Sequence, residues 1–247
     1  MVYIFDGSKA GFLTAFLLAY EDENALLTSR AVQLPLGERS VTVETDKEKA
    51  KRVEKRLLAF DTDALFRLDR LLRSGMENHE QIAFHYFKKL ATEKRPIDKN
   101  FADPDVFAAV EYMKKVGHEI HKFHGFVRFM ELKSGALYAP ISPDNDICDL
   151  LLPHFRARLP EFPFVLHDVA RKKAAVYDGK NAFVAPLGTT DVLLSADEEA
   201  WQSLWKNYYK AVNIPSRERL KQMRGYMPVR YWKFLTEKQE KPPNFPE

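Results

Sequence analysis

The chain has 247 residues and a formal charge of +3, with 45% hydrophobic and 13% aromatic residues, a globular composition that excludes disorder as the main state and a globally cationic body. That length buries a real core, in one large domain or in two of about 100 to 150 residues. The single cysteine, Cys148, excludes an internal disulfide framework and a multi-cysteine zinc knuckle.

Val2 to Phe5 reads as a short strand ended by the turn signal Asp6-Gly7. Ser8 is placed to cap a buried helix from Lys9 to Tyr20, with Phe12, Phe16 and Ala19 at helical spacing. The apolar run Gly11 to Tyr20 has the length of a signal-peptide segment, but Asp6 stands where a basic region belongs and Glu21-Asp22-Glu23 closes it. No window reaches the roughly 18 to 20 apolar residues of a membrane helix, so the expectation is a soluble, cytoplasmic protein without a membrane partner. Ala31 to Leu34 and Val41 to Glu44, split by Pro35 and Gly37, read as two more strands. From Asp46 the period becomes 3.6. Val53, Leu57 and Phe60, then Leu65, Leu68 and Leu72, then Ile82, Tyr86 and Leu90 predict three successive helices, broken at Asp61-Thr62-Asp63 and Ser74-Gly75. Asp103-Pro104 opens a longer helix with Val106, Val110, Met113 and Ile120 inward.

After Gly125 the period drops to two. Phe126 to Leu132 and Ala136 to Ile141 predict a hairpin around Ser134-Gly135, and Asp144 to Arg158 a helix burying Ile147, Leu150 or Leu151, and Phe155. Phe164 to Asp168 and Lys173 to Tyr177 predict a second hairpin ending at Asp178-Gly179. Asn181 to Ser195 carries no pattern, Trp201, Leu204, Trp205 and Tyr208 mark a helix from Ala196 to Val212, and Pro228 opens a final short helix through Leu235. The expected class is α+β: an antiparallel sheet of two hairpins with packed helices, plus an N-terminal, mostly helical region with short strands. The expected divisions are 1–100, 101–240 and a disordered tail 241–247, the first two standing apart or forming one compact domain.

Three constellations could carry chemistry. His118, His121 and His124 fan over roughly 120° of one helix, which flanks a metal only if the helix ends between them. Satisfied structural histidines are the simpler reading, and no metal is assigned. His121, Arg128, Asp144 and Asp178 fall at predicted element ends, where an Asp base and a phosphate-holding Arg could share a catalytic cleft; capping and turn roles for the two Asp residues are the ordinary alternative. Between Pro215 and Leu235, Arg217, Arg219, Lys221, Arg224, Arg230 and Lys233 face one acid, Glu218, a net +5 interleaved with Tyr226, Tyr231, Trp232 and Phe234. A second run, His154 to Lys173, contributes Arg158 and a net +3. Cations neutralise phosphates while rings stack on exposed bases, so Arg158, Arg217, Arg219, Lys221, Arg224, Arg230, Tyr231, Trp232 and Lys233 are the candidate nucleic-acid contacts, unless the segment is a packed terminal helix. No Walker loop, G-x-G-x-x-G, G-x-S-x-G or H-E-x-x-H motif occurs, and no cofactor is called for.

Several of these segments also carry a family likeness. Tyr3-Ile4-Phe5-Asp6-Gly7-Ser8 with Gly11-Phe12-Leu13-Thr14-Ala15, His121-Lys122-Phe123-His124-Gly125-Phe126-Val127-Arg128-Phe129, Ser142-Pro143-Asp144, His167-Asp168, Tyr177-Asp178-Gly179, Tyr208-Tyr209 and Met227-Pro228 with Arg230-Tyr231-Trp232 are specific in combination. Together they resemble a bacterial family labelled "probable DNA metabolism protein", whose members look like partners of a DNA-repair radical-SAM protein. A related module stands in front of a uracil-DNA glycosylase-like domain. Tyr177 stands where related modules often carry Trp, Asn145-Asp146 where a His or Asp pair is expected, and the residue cluster a uracil glycosylase needs is absent. The resemblance implies a DNA-repair accessory protein, with single-stranded or damaged DNA and a radical-SAM protein as partners. Two alternatives stand beside it: an enzyme acting on DNA or nucleotides through the His/Arg/Asp cleft, and a protein-binding adaptor that would show an exposed apolar patch around Trp201, Trp205 and Tyr209.

Overall fold

The computed structural model describes residues 1–30, 39–188, 192–217 and 219–239, in two compact units, Met1–Gly117 and His118–Glu247. The fold is α+β. Among the described residues no helix is long and apolar enough to cross a membrane. The predicted strand Ala31 to Leu34 and the predicted tail 241–247 lie outside the described residues.

In the first unit, β1 (Val2–Ile4) leads through Asp6-Gly7-Ser8 into α1 (Lys9–Ala19), followed by β2 (Leu26–Thr28) and β3 (Ser40–Thr42). The three strands form a parallel sheet in the order β2-β1-β3. Asp6 Oδ1 accepts from the Ser8 N–H and hydroxyl at 2.9 and 2.6 Å, and Ser8 Oγ accepts from the Gly11 N–H at 2.9 Å, so the turn and the helix cap are one hydrogen-bonded piece. A Cβ at Gly11 would stand 2.1 Å from Asp6 Oδ1, so a larger residue there would displace the carboxylate that holds the turn. The strand β2 has no apolar alternation to announce it; its edge donors are met from α4 (His79–Glu93), where Glu80 accepts from Ser29 N and Gln81 from Leu27 N. With α2 (Lys47–Phe60), α3 (Ala64–Leu72) and the start of α5 (Pro104–Phe126), these elements enclose Phe12, Phe16, Phe84, Tyr86, Phe87 and Leu90. The helices begin where the pattern changes: Asp46 caps α2, accepting from Glu48 and Lys49 N–H, and Asp103 caps α5, accepting from Asp105 and Val106 N–H.

In the second unit α5 stays helical to Phe126, so the expected strand Phe126 to Leu132 shrinks to β4 (Met130–Glu131). It pairs antiparallel with β5 (Leu137–Ile141). The chain then turns, passes a 3-10 segment Asp149–Leu151 and enters α6 (Leu152–Arg158). The expected helix start at Asp144 is instead a loop, tied from a distance by the Glu119 carboxylate, which accepts from the N–H groups of Asp144 and Asn145, both at 2.8 Å. Next come β6 (Phe164–Asp168), β7 (Lys173–Tyr177), β8 (Ala182–Pro186), α7 (Glu198–Val212) and α8 (Leu220–Tyr226). The sheet order is β4-β5-β6-β7-β8. Both predicted hairpins are present, but β5 and β6 run parallel, so the sheet is mixed rather than antiparallel. The strand β8 falls in the stretch without a sequence pattern, since an edge strand with Phe183 and Val184 both about half exposed shows no inward-outward alternation. The expected terminal helix is a pair of 3-10 turns, Val229–Phe234 and Thr236–Lys238.

Candidate nucleic-acid interface

The second unit presents α7 and the C-terminal turns on one surface. At its start α7 is fixed by Glu198, a buried carboxylate that accepts from the Glu131 N–H of β4 at 2.8 Å and from Gln202 Nε2 at 2.9 Å. Midway, Trp205 Nε1 donates to Glu237 at 2.9 Å. The same carboxylate receives Arg128 through Nε at 3.1 Å and Nη2 at 2.7 Å, while Arg128 Nη1 bonds the Gly125 and Val127 carbonyls and its guanidinium lies 5.5 Å from the Trp205 ring. Burial acts to raise the Glu237 carboxyl, and the bonds from Arg128 and Trp205 outweigh it and hold the group below the usual carboxylate range. Arg128 is thereby a fastener.

Two depressions flank this latch. One, of about 560 Å3, is lined by Arg128, Phe129, Glu131, Arg158, Trp201 and Trp205, with Arg158 and both indoles exposed. The other, of about 330 Å3, is lined by Tyr209, Arg217, Arg219, Tyr226 and Lys238 among others. Lys238 stands 4.8 Å from the Tyr209 ring, and it directly follows Glu237 in the chain, so the latch and the second pocket share one turn. Arg217 and Arg219 are exposed and form no ion pair among the described residues. Lys221 and Arg224 are exposed on α8 and do not line this pocket.

Other sequence candidates serve the fold. Tyr231 is 3% exposed and donates its hydroxyl to the buried carboxylate of Glu119, which also receives Asn145 Nδ2 at 2.6 Å. Burial first, then Glu119, raises the Tyr231 phenol, so it stays protonated. Arg230 donates to Asp144 Oδ2 at 2.5 Å and stacks 4.6 Å from the Tyr231 ring. Arg171 bonds the carbonyls of Pro143 and Asp144 at 3.0 and 2.6 Å, completing the clasp on the Ser142-Pro143-Asp144 loop. Trp232 is half-buried with its N–H on the Met227 carbonyl at 3.0 Å, and Lys233 is exposed over Phe234. Nothing local in the sequence signals Glu119 or Glu237, which are ordinary acids in mixed-charge runs.

His121, Arg128, Asp144 and Asp178 are not brought together. The strand register puts Asp178 beyond the Tyr177–Phe164–Leu137 end of the sheet and Asp144 beyond the Ile141–Asp168 end. Four strand steps separate those ends, about 13 Å, beyond the hydrogen-bond reach that acid-base partners need on one substrate. Asp178 instead accepts from Asn181 and Lys180 N–H at 2.6 and 2.8 Å, bonds that lower its pKa, beside Gly179 at φ +94°. His118 and His121 are exposed on α5. His124 stacks on His154 at 4.0 Å and 9°, and burial, then the neighbouring His154 and His121, lower its pKa. Among the described residues no group of three or more His, Cys, Asp or Glu could hold a metal ion.

No curated protein and no solved structure matches the chain. A family profile described as a domain of unknown function, DUF4130, matches residues 77–237, which spans the end of the first unit and almost the whole described part of the second. The chain belongs to this DUF4130 family of unknown function.

Proposed function

We propose that the protein binds nucleic acid through the α7–α8 surface of its second unit, as an accessory protein of DNA metabolism. The observation that carries this reading is the pocket in which Arg217 and Arg219, exposed and without an ion pair among the described residues, stand with Lys238 beside Tyr226 and Tyr209, the last on the same helix as the exposed Trp201 and Trp205. Guanidinium and ammonium groups neutralise phosphates, ring faces stack on bases without reading sequence, and together they suit a modestly charged protein to a polyanion. A role in DNA repair beside a radical-SAM partner rests on the family resemblance alone.

Equilibrium binding of a fluorescent single-stranded oligonucleotide across a salt series tests the reading. The three cations of this pocket contribute about −2 to the slope of log K against log salt, at roughly −0.7 per neutralised phosphate for single strands. The Arg217→Glu plus Arg219→Glu variant should weaken binding to all sequences and remove more than half of that contribution. Absence of binding at low salt overturns it. A second reading, a protein-binding adaptor, draws on Leu204, Tyr208 and Val212, each more than half exposed on α7. Co-purification with a protein partner by a chain that binds no oligonucleotide would favour that alternative.

A further inference from the structure

The aromatic residues that α7 sets beside the two depressions are Trp201, Trp205 and Tyr209, at i, i+4 and i+8. Resting on the nucleic-acid reading above, we infer that this surface takes a single strand in a register of about three nucleotides, one base against each ring, and rejects the stacked duplex.

Spacing carries the inference. Four residues of α-helix rise about 6 Å and drift about 40° in azimuth, so the three rings climb about 12 Å within about 80° of the helix circumference. Stacked bases follow one another at about 3.4 Å along a strand, little more than half the ring spacing. Only bases drawn apart from one another meet successive rings, which is the state of an extended single strand. The depressions fit the same division: at about 560 and 330 Å3 each is in the range that admits a nucleotide-sized ligand.

The charges fall at the two ends of the ladder. Arg158 lies with Trp201 in the first depression, and Arg217, Arg219 and Lys238 with Tyr209 in the second. Between them the Arg128 guanidinium is already closed by Glu237 and two carbonyls, so the middle position offers a ring beside a cation that is already engaged. Trp205 is 39% exposed, with Arg128 at 5.5 Å and Tyr208 at 5.7 Å and 34° beside its ring, and that exposed part is what a base would meet. Phosphates are therefore held at the ends and the middle nucleotide by stacking, and no group here reads the sugar. DNA and RNA single strands share this chemistry.

The test is anisotropy competition at low salt with the full chain, using thymidine monophosphate, oligo-dT of two, three and six nucleotides, oligo-rU of six, and a blunt duplex. Affinity should rise about tenfold for each nucleotide up to three and only a few-fold beyond, the size expected of one base–ring stack per step. Oligo-rU should bind within a few-fold of oligo-dT, and the duplex at least tenfold more weakly than the single strand. Trp201→Ala removes a ring that is 60% exposed, so circular dichroism should be unchanged while the gain from the third nucleotide disappears. If the monophosphate binds as tightly as the hexamer, or the duplex as tightly as the single strand, or one sugar is preferred more than tenfold, the register is overturned while the nucleic-acid reading stands. If no probe binds, both fall.

Discussion

Removing the Glu237 carboxylate tests whether the C-terminal turn is a latch. Its side chain is 3% exposed and Arg128 is 23% exposed, so Glu237→Ala strands a guanidinium that has lost two of its donors' partners, and frees the Trp205 indole N–H as well. Breaking a buried ion pair from one side costs about 3 to 5 kcal/mol. Arg128 keeps its bonds to the Gly125 and Val127 carbonyls and some solvent, which places the cost near the lower end, about 3 kcal/mol. For a unit of this size each kcal/mol moves the midpoint by about 3 to 4 °C, so the second unit should melt roughly 10 °C lower. Differential scanning calorimetry of the full chain measures this, with tryptophan emission shifting to the red as Trp205 loses its partner. Arg128→Ala should cost a similar amount, and the double variant less than the sum by about 2 kcal/mol, because the two groups share one interaction. A midpoint change below about 2 °C in Glu237→Ala, or strict additivity, would refute the latch.

Because the Glu237 pKa is depressed in the folded chain, the stability it contributes is complete above its ordinary value of 4.5 and is lost as pH falls through the lower folded value. Wild type should therefore lose more stability than Glu237→Gln on acidification below pH 4.5, measured as urea midpoints at successive pH values. Tyr231→Phe keeps the ring packing against Phe123 but deprives buried Glu119 of one of its donors, and should cost about 1 to 2 kcal/mol in urea unfolding. Burial pushes the Cys148 thiol up to about 12, so a disulfide reagent at pH 8 should react only after denaturant is added, and fast reaction of the native chain would contradict the packing around β6 and β7.

Much of the fold was legible because local patterns set it. Phe12, Phe16, Leu57, Leu68, Ile82 and Leu90 repeat at helical spacing and are core residues, and Asp46 and Asp103 cap the helices they precede. Elements fixed from far away were not. The helix expected from Asp144 is replaced at its start by a loop tied to Glu119, 25 and 26 residues upstream. The strand β2 is three residues whose edge is finished by Glu80 and Gln81, more than 50 residues on. The same limit divides the site. Arg217 and Arg219 are wetted, as a charge run suggests, but Arg230 and Tyr231 from the same run are tied to Asp144 and Glu119, 86 and 112 residues away. Conversely, Trp201 and Tyr208 look from their spacing like the inward marks of an amphipathic helix, yet both are more than half exposed. Spacing tells which residues share a face; it does not tell whether anything covers it.

Photo-crosslinking bears most directly on the central claim that the α7–α8 surface holds nucleic acid. A single-stranded oligonucleotide carrying 5-iodo-deoxyuridine, irradiated with the full chain and mapped by peptide mass spectrometry, should join to Trp201, Trp205 or Tyr209. Adducts confined to the first unit, or to residues away from α7 and the Arg217–Arg219 turn, would contradict the account.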